Sequence, residues 1–78
     1  PNPFNPETTI RFGLPVPGNV KIEVFDLTGK QVALLIDKAV PAGEHSVSFK
    51  GDDHPSGVYF YRIRTAGFTS TKKMLLLK

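Results

Sequence analysis

Ser56-Gly57-Val58-Tyr59-Phe60-Tyr61-Arg62-Ile63-Arg64 is dense in aromatic and β-branched residues and opens with a turn pair. Nothing after Gly57 breaks it, so it reads as a strand. Its two faces differ. Tyr59, Tyr61 and Ile63 share one face and are apolar throughout, whereas Val58, Phe60, Arg62 and Arg64 on the other pass from apolar to charged. The first face requires burial, and the remaining apolar alternations of the chain are its candidate partners.

The pair Ala66-Gly67 reads as a tight turn leading into a strand from Phe68 to Leu77. With a two-residue loop, Thr65 faces Phe68, Ile63 faces Ser70, Tyr61 faces Lys72 and Tyr59 faces Met74. Tyr59, Tyr61, Ile63, Phe68, Met74 and Leu76 then form a core face. Val58, Phe60, Arg62, Arg64, Thr69, Thr71, Lys73 and Leu75 form an outer one. Lys72 falls on the core face and is expected to snorkel at a sheet edge.

Upstream, Ile10, Phe12 and Leu14 alternate with Arg11 and Gly13, and Val20, Ile22 and Val24 alternate with Lys21 and Glu23. Each is a half-buried strand, and Pro15 to Asn19 turns the chain between them. Asp26-Leu27-Thr28-Gly29-Lys30 is a hairpin loop: the Asp side chain bonds back to the turn, and Gly29 supplies a positive φ. Val32, Leu34, Leu35 and Ile36 make a third strand ending before Asp37. Lys38 to Gly43 reads as a crossover loop. His45, Val47 and Phe49 form a fourth strand with His45 at a hydrogen-bonded border, and Gly51 to Pro55 is the most polar loop. Pro1-Asn2-Pro3-Phe4-Asn5-Pro6 is a stiff lead-in whose Phe4 is expected to dock on the core edge. Short strands between turn signals, without helical periodicity, define a small antiparallel Ig-like β-sandwich of six or seven strands.

With 78 residues, residues 1–78 are expected to form a single domain with a thin core, burying roughly 60% of the unfolded surface. No Cys is present and the net charge is only +3, far from a nucleic-acid or membrane signature. No apolar run reaches the roughly 20 residues of a transmembrane helix. The beginning at Pro1 carries no charged and apolar leader, and a start inside the Pro1-Asn2-Pro3 motif suggests a piece of a longer parent protein.

Asp53, His54 and Ser56 are the residue types of a hydrolase triad, but they crowd into one loop, whereas a triad draws on separate elements. Asp52 and Asp53 lack the spaced acids of a calcium loop, and His45 and His54 lack zinc-ligand spacing. The expectation is therefore a chain that is not an enzyme, holds no cofactor and binds no metal. Arg62, Arg64 and Lys73 make a basic stripe beside Phe60, read as a solvated sheet face. The apolar end of that face, Val58, Phe60, Leu75 and Leu77, calls for a cover or a partner.

Five motifs, in order, resemble the C-terminal sorting domain of proteins exported by the type IX secretion system. They are Pro1 to Pro6 with Thr8-Thr9-Ile10, Val24 to Val32, Ala42-Gly43-Glu44-His45, Ser56 to Ile63, and Lys72 to Lys78. The Ig-like domain of the flagellar hook-capping protein is similar in the hairpin and the Ser56–Ile63 strand; closing on Lys78 favours the sorting domain. The resemblance implies a non-catalytic secretion address, read in the periplasm by the type IX translocon. It also implies cleavage by a sortase-like protease and a passenger that is secreted or attached to the cell surface. Recognition is assigned to Asp26, Gly29 and Lys30 in the hairpin, Gly57 and Tyr59 at the start of the aromatic strand, and Lys73 and Lys78 in the terminal segment. Two other readings are a structural module self-associating through sheet edges and an accessory binding module of an extracellular enzyme.

Since alternation and turns account for the chain without a metal, a chelator should leave the melting temperature unchanged. A drop of several degrees restored by Ca²⁺ would make a metal site of Gly51-Asp52-Asp53.

Overall fold

Val20, Ile22 and Val24, every second residue of one strand, are completely removed from solvent. That strand is β2 (Gly18–Phe25), and the computed structural model, which describes residues 6–78, wraps the other strands around it. The order is β1 (Glu7–Leu14), β2, β3 (Gln31–Val40), β4 (Gly43–Lys50), β5 (Gly57–Arg64) and β6 (Thr69–Leu76), with a single 3₁₀ turn at Gly51–Asp53. Two antiparallel sheets result, one of order β3-β2-β5-β6 and one of β1-β4 alone. The expected small antiparallel sandwich is therefore present, with six strands among the described residues. None of their helices is long and apolar enough to cross a membrane.

The register of the last hairpin is as the turn dictates: Tyr59 opposes Met74, Tyr61 opposes Lys72 and Ile63 opposes Ser70. The Thr65 N–H donates to the Phe68 carbonyl at 2.9 Å, and the Thr65 hydroxyl accepts from the N–H groups of Gly67 and Phe68. On the other side β5 pairs with β2, Ile22 against Ile63 and Val24 against Tyr61. Apolar positions of four strands thus share one surface, and Ile10, Phe12, Leu14 and Phe49 of the small sheet close over it. Phe49 meets Tyr59 edge-on at 5.0 Å and the His54 ring at 4.8 Å, favourable aromatic geometries. The Tyr59 hydroxyl donates to the Pro55 carbonyl at 2.6 Å, so its polar end is satisfied within the core.

Three expectations change. The first concerns β3, which runs on to Val40, so Lys38, Ala39 and Val40 belong to a strand and not to the crossover loop. Only Pro41 and Ala42 carry the chain to the other sheet, helped by Gly43 at φ 116°. His45 braces this corner, its Nε2–H donating to the Pro41 carbonyl at 2.7 Å while its ring lies 5.5 Å from that of Phe12. Register shifts opposite Ile22/Glu23 and Val24/Phe25 explain the blurred alternation of β3. Each places two residues against one, so Val32, Ala33, Leu35 and Ile36 all pack toward the core while Leu34 turns out to solvent.

The other two changes concern the core face of the last hairpin. Phe68, expected to be buried, is exposed, and Tyr61 is only half-buried. A two-stranded sheet cannot cover a four-stranded one, and the uncovered part falls here. Lys72, the misfit, is exposed on the edge strand β6, where its position costs little. Phe4 lies outside the described residues.

Tyr59 and Tyr61 alternate on one strand but differ in burial, which makes them a test of this coverage. Tyr59→Ala should cost about 3–5 kcal/mol and Tyr61→Ala roughly half of that, since less apolar area leaves solvent. Denaturant midpoints for the two variants check this; equal losses would mean that Tyr61 is as enclosed as Tyr59.

Candidate functional site

On the outer face of the four-stranded sheet the ladder aligns side chains in rows across the strands. Lys21 lies beside Arg64 and Thr69, Glu23 beside Arg62 and Thr71, and Phe25 beside Phe60 and Lys73; Val58 and Leu75 follow. The face therefore grades from charge at one end to apolar surface at the other.

Glu23 decides the charged end. Although it points to the outer face, only 4% of it is exposed. Arg62 donates to its Oε1 at 3.2 Å, and Arg64 Nε lies 3.5 Å from the same oxygen. The Arg62 guanidinium also sits 4.9 Å from the centre of the Phe25 ring, in cation–π range. Arg62 and Arg64 are thus no solvated basic stripe: one carboxylate holds both, and Lys73 is the cation of that stripe left outside the cluster. Glu23 and Arg62 are legible singly as alternating residues, but their meeting with each other and with Phe25 depends on the β2–β5 register.

Phe25, Phe60, Arg62 and Thr71 line a shallow concavity whose rim is formed by Asp26, Leu27 and Gly29 of the hairpin. The hairpin holds its shape through Asp26. Its Oδ1 accepts from the Thr28 hydroxyl at 2.6 Å, the Thr28 N–H at 2.9 Å and the Lys30 N–H at 3.1 Å. Backbone bonds from Asp26 N–H to the Lys30 carbonyl and from Gly29 N–H to the Asp26 carbonyl close the loop. Gly29 sits at φ 88°, a conformation that would strain a residue with a Cβ. Half-buried Asp26 thus ties exposed Gly29 and Lys30 into one braced tip carrying Leu27 at its apex.

The other residues assigned to recognition are spread around this face. Lys73 stands on it next to Phe60. Lys78 lies past the end of β6 and is tied by its N–H to the Ser56 hydroxyl at 3.0 Å. Gly57 begins β5 at the hairpin end of the sheet. Tyr59 points the opposite way, into the core, and presents almost no surface. Any part it has in recognition runs through the Pro55 carbonyl that it holds.

The loop considered for catalysis is spent differently. The His54 ring packs on Phe49, Ser56 accepts from Lys78, and Asp52 and Asp53 face solvent on the 3₁₀ turn. No group of three or more His, Cys, Asp or Glu residues is placed to hold a metal ion among the described residues.

The distinctive features of this β-sandwich are a braced hairpin tip and a sheet face that grades from charge to apolar surface. The family model of the secretion system C-terminal sorting domain matches residues 1–77, and the chain belongs to that family. Its function is that of a type IX secretion sorting signal, and proteins carrying it are exported across the outer membrane to the cell surface or released. Such a signal works with the type IX machinery, and the family is not a catalytic one. Neither the curated proteins nor the solved structures gave a match.

The hairpin also predicts a pH response. The hydrogen bond from the Thr28 hydroxyl, followed by those from the backbone of Thr28 and Lys30 and the Lys30 charge, holds the Asp26 carboxyl below the ordinary carboxylate value. A depressed folded value means that the stabilisation is present above the unfolded pKa, about 3.9, and is lost as pH falls through the folded one. Asp26→Ala should therefore lower the melting temperature at neutral pH, and the gap to the parent should close in strong acid. A gap independent of pH would assign the loss to something other than the carboxylate.

Proposed function

We propose that residues 1–78 are a single sorting domain of a longer exported protein, read by the type IX translocon as a folded surface. In this reading the surface is the hairpin end of the outer sheet face: the Asp26–Lys30 tip, the Phe25–Phe60 concavity, and Lys73 and Lys78 beside it. The observation that carries the reading is the family match over residues 1–77, together with the exposure of Leu27, Lys30, Lys73 and Lys78 around the concavity. Recognition then divides between shape and charge. The tip offers a fixed backbone outline, the two phenylalanines offer apolar area, and the lysines select an acidic receptor surface and speed encounter. After translocation, a sortase-like protease removes the domain and the passenger is attached to the cell surface.

Shortening β6 would confound recognition with folding, since Met74 and Leu76 are buried. Lys73 and Lys78 are exposed, and replacing both with Gln removes two charges while keeping length and side-chain reach. Melting should shift little, as for exposed substitutions in general. A passenger carrying the altered domain should accumulate in the periplasm. Its normal appearance at the cell surface would remove the two lysines from the site and leave the Asp26–Lys30 tip as the reading surface.

A further inference from the structure

The two-stranded sheet closes over the four-stranded one like a wedge. At one end Thr8 of β1 donates from its hydroxyl to the Leu75 carbonyl of β6 at 2.6 Å, pinning the strands together. Toward the other end β1 leaves β6, because Leu14 is followed by the short Pro15–Pro17 turn that delivers the chain into β2. The gap that opens is lined by Arg11, Phe12 and Gly13 on one side and Tyr61, Ile63, Phe68, Ser70 and Lys72 on the other. Phe68 also walls an adjoining apolar cleft between the Pro15–Asn19 segment and the Thr65–Phe68 turn, where Val16 is exposed, so the two hollows meet at Phe68 and are taken together as one trough.

Three properties of the trough point to an extended occupant. First, among the described residues β1 has a strand partner only on its β4 side, so alternate N–H and C=O groups along its other edge lack a ladder there. Secondly, the floor is aromatic and incompletely covered: Phe68 is 40% exposed and Tyr61 half-buried. Thirdly, the rims are cationic. Arg11 stands on the outward face of β1 and Lys72 on the edge strand β6, and neither forms an ion pair among the described residues. Glu44 lies over Gly13, opposite which it pairs, and shares a surface hollow with Arg11 without reaching ion-pair distance.

We propose that this trough takes an extended segment of a partner protein in which acidic and apolar residues alternate, added as a third strand on the free edge of β1. The alternation follows from the pleat. In a strand laid beside β1, one set of side chains faces inward onto Tyr61, Ile63 and Phe68 and must be apolar. The other set shares the outward face with Arg11, where carboxylates are favoured, and Lys72 reaches the same strand from the far rim on its four-carbon stem. The added strand completes the cover that two strands cannot give to four. The trough lies apart from the hairpin and the outer face, so this proposal is independent of how those are read.

The probe is a capped hexapeptide of alternating Glu and Val, titrated into the 78-residue chain and followed by backbone amide shifts. Saturable shifts at 10–14 and 68–72, and weaker binding by about tenfold in an Arg11→Glu, Lys72→Glu double variant, are the expected result, as two surface charge contacts become repulsive. Phe68→Ser should weaken binding in the same way with little change in melting. An alternating Lys and Val peptide tests the charge, and an alternating Glu and Ser peptide tests the apolar floor; both should bind more weakly. Equal binding of either control, shifts centred on the Asp26–Lys30 hairpin, or no saturable shift would overturn the proposal.

Discussion

The antiparallel pairing of β2 with β5 is the constraint on which the rest of the molecule depends. These are the two interior strands of the larger sheet, and their register places Ile22 against Ile63 and Val24 against Tyr61 on one face. On the other it places Glu23 against Arg62. One set of backbone hydrogen bonds thereby fixes both an apolar ladder and an ion pair. A slip of a single residue would turn Val20, Ile22 and Val24 to solvent and put Glu23 into the core, so the two faces enforce the same alignment. Glu23 is nearly buried yet outward-facing because the arginine side chains lie over it, and Arg62 in turn rests on Phe25. A nearly buried pair of this kind is weak evidence for stability; here it joins the two interior strands across the face opposite the apolar ladder.

From that pairing follows an asymmetry of coverage. Four strands present one inner face, and only β1 and β4 are available to cover it. The small sheet meets the large one fully where Phe49, Tyr59 and Leu76 pack, and incompletely where Tyr61 and Phe68 lie. A small domain has little apolar surface to spare. An incompletely covered aromatic patch in such a domain is therefore informative about partners, in a way that a single exposed leucine is not. The outer face differs in kind: there the hairpin tip is held by three hydrogen bonds to one carboxylate oxygen, and the exposed groups surround a surface already rigid. Rigidity at that tip suits a module whose family acts as a signal, because a preformed outline loses little entropy on being read.

The five motifs in order were enough to indicate the family, and the match over residues 1–77 bears that out. The particular residues of the proposed site were less legible. Asp26, Gly29 and Lys30 are adjacent in the chain, and their turn chemistry is local, so their grouping could be read directly. Phe25, Phe60 and Lys73 are distant in sequence and share a row only through two strand pairings. Tyr59 and Phe60 are neighbours of the same type, yet the pleat sends one into the core and the other outward; motif membership alone does not distinguish them.

By itself the sequence determined the strands with clean alternation, the turn residues between them, and the register of the β5–β6 hairpin. These are local matters: a side-chain period of two, a glycine able to take a positive φ, and a two-residue turn that leaves one alignment open. The tertiary structure alone decided that β3 carries two bulges and runs on to Val40, that Glu23 gathers Arg62 and Arg64, and that Phe68 lies open while Tyr59 is enclosed. Each of these depends on which strand lies beside or above another. That arrangement is set by the competition of all the apolar faces for one small core, and no single stretch of the chain records its outcome.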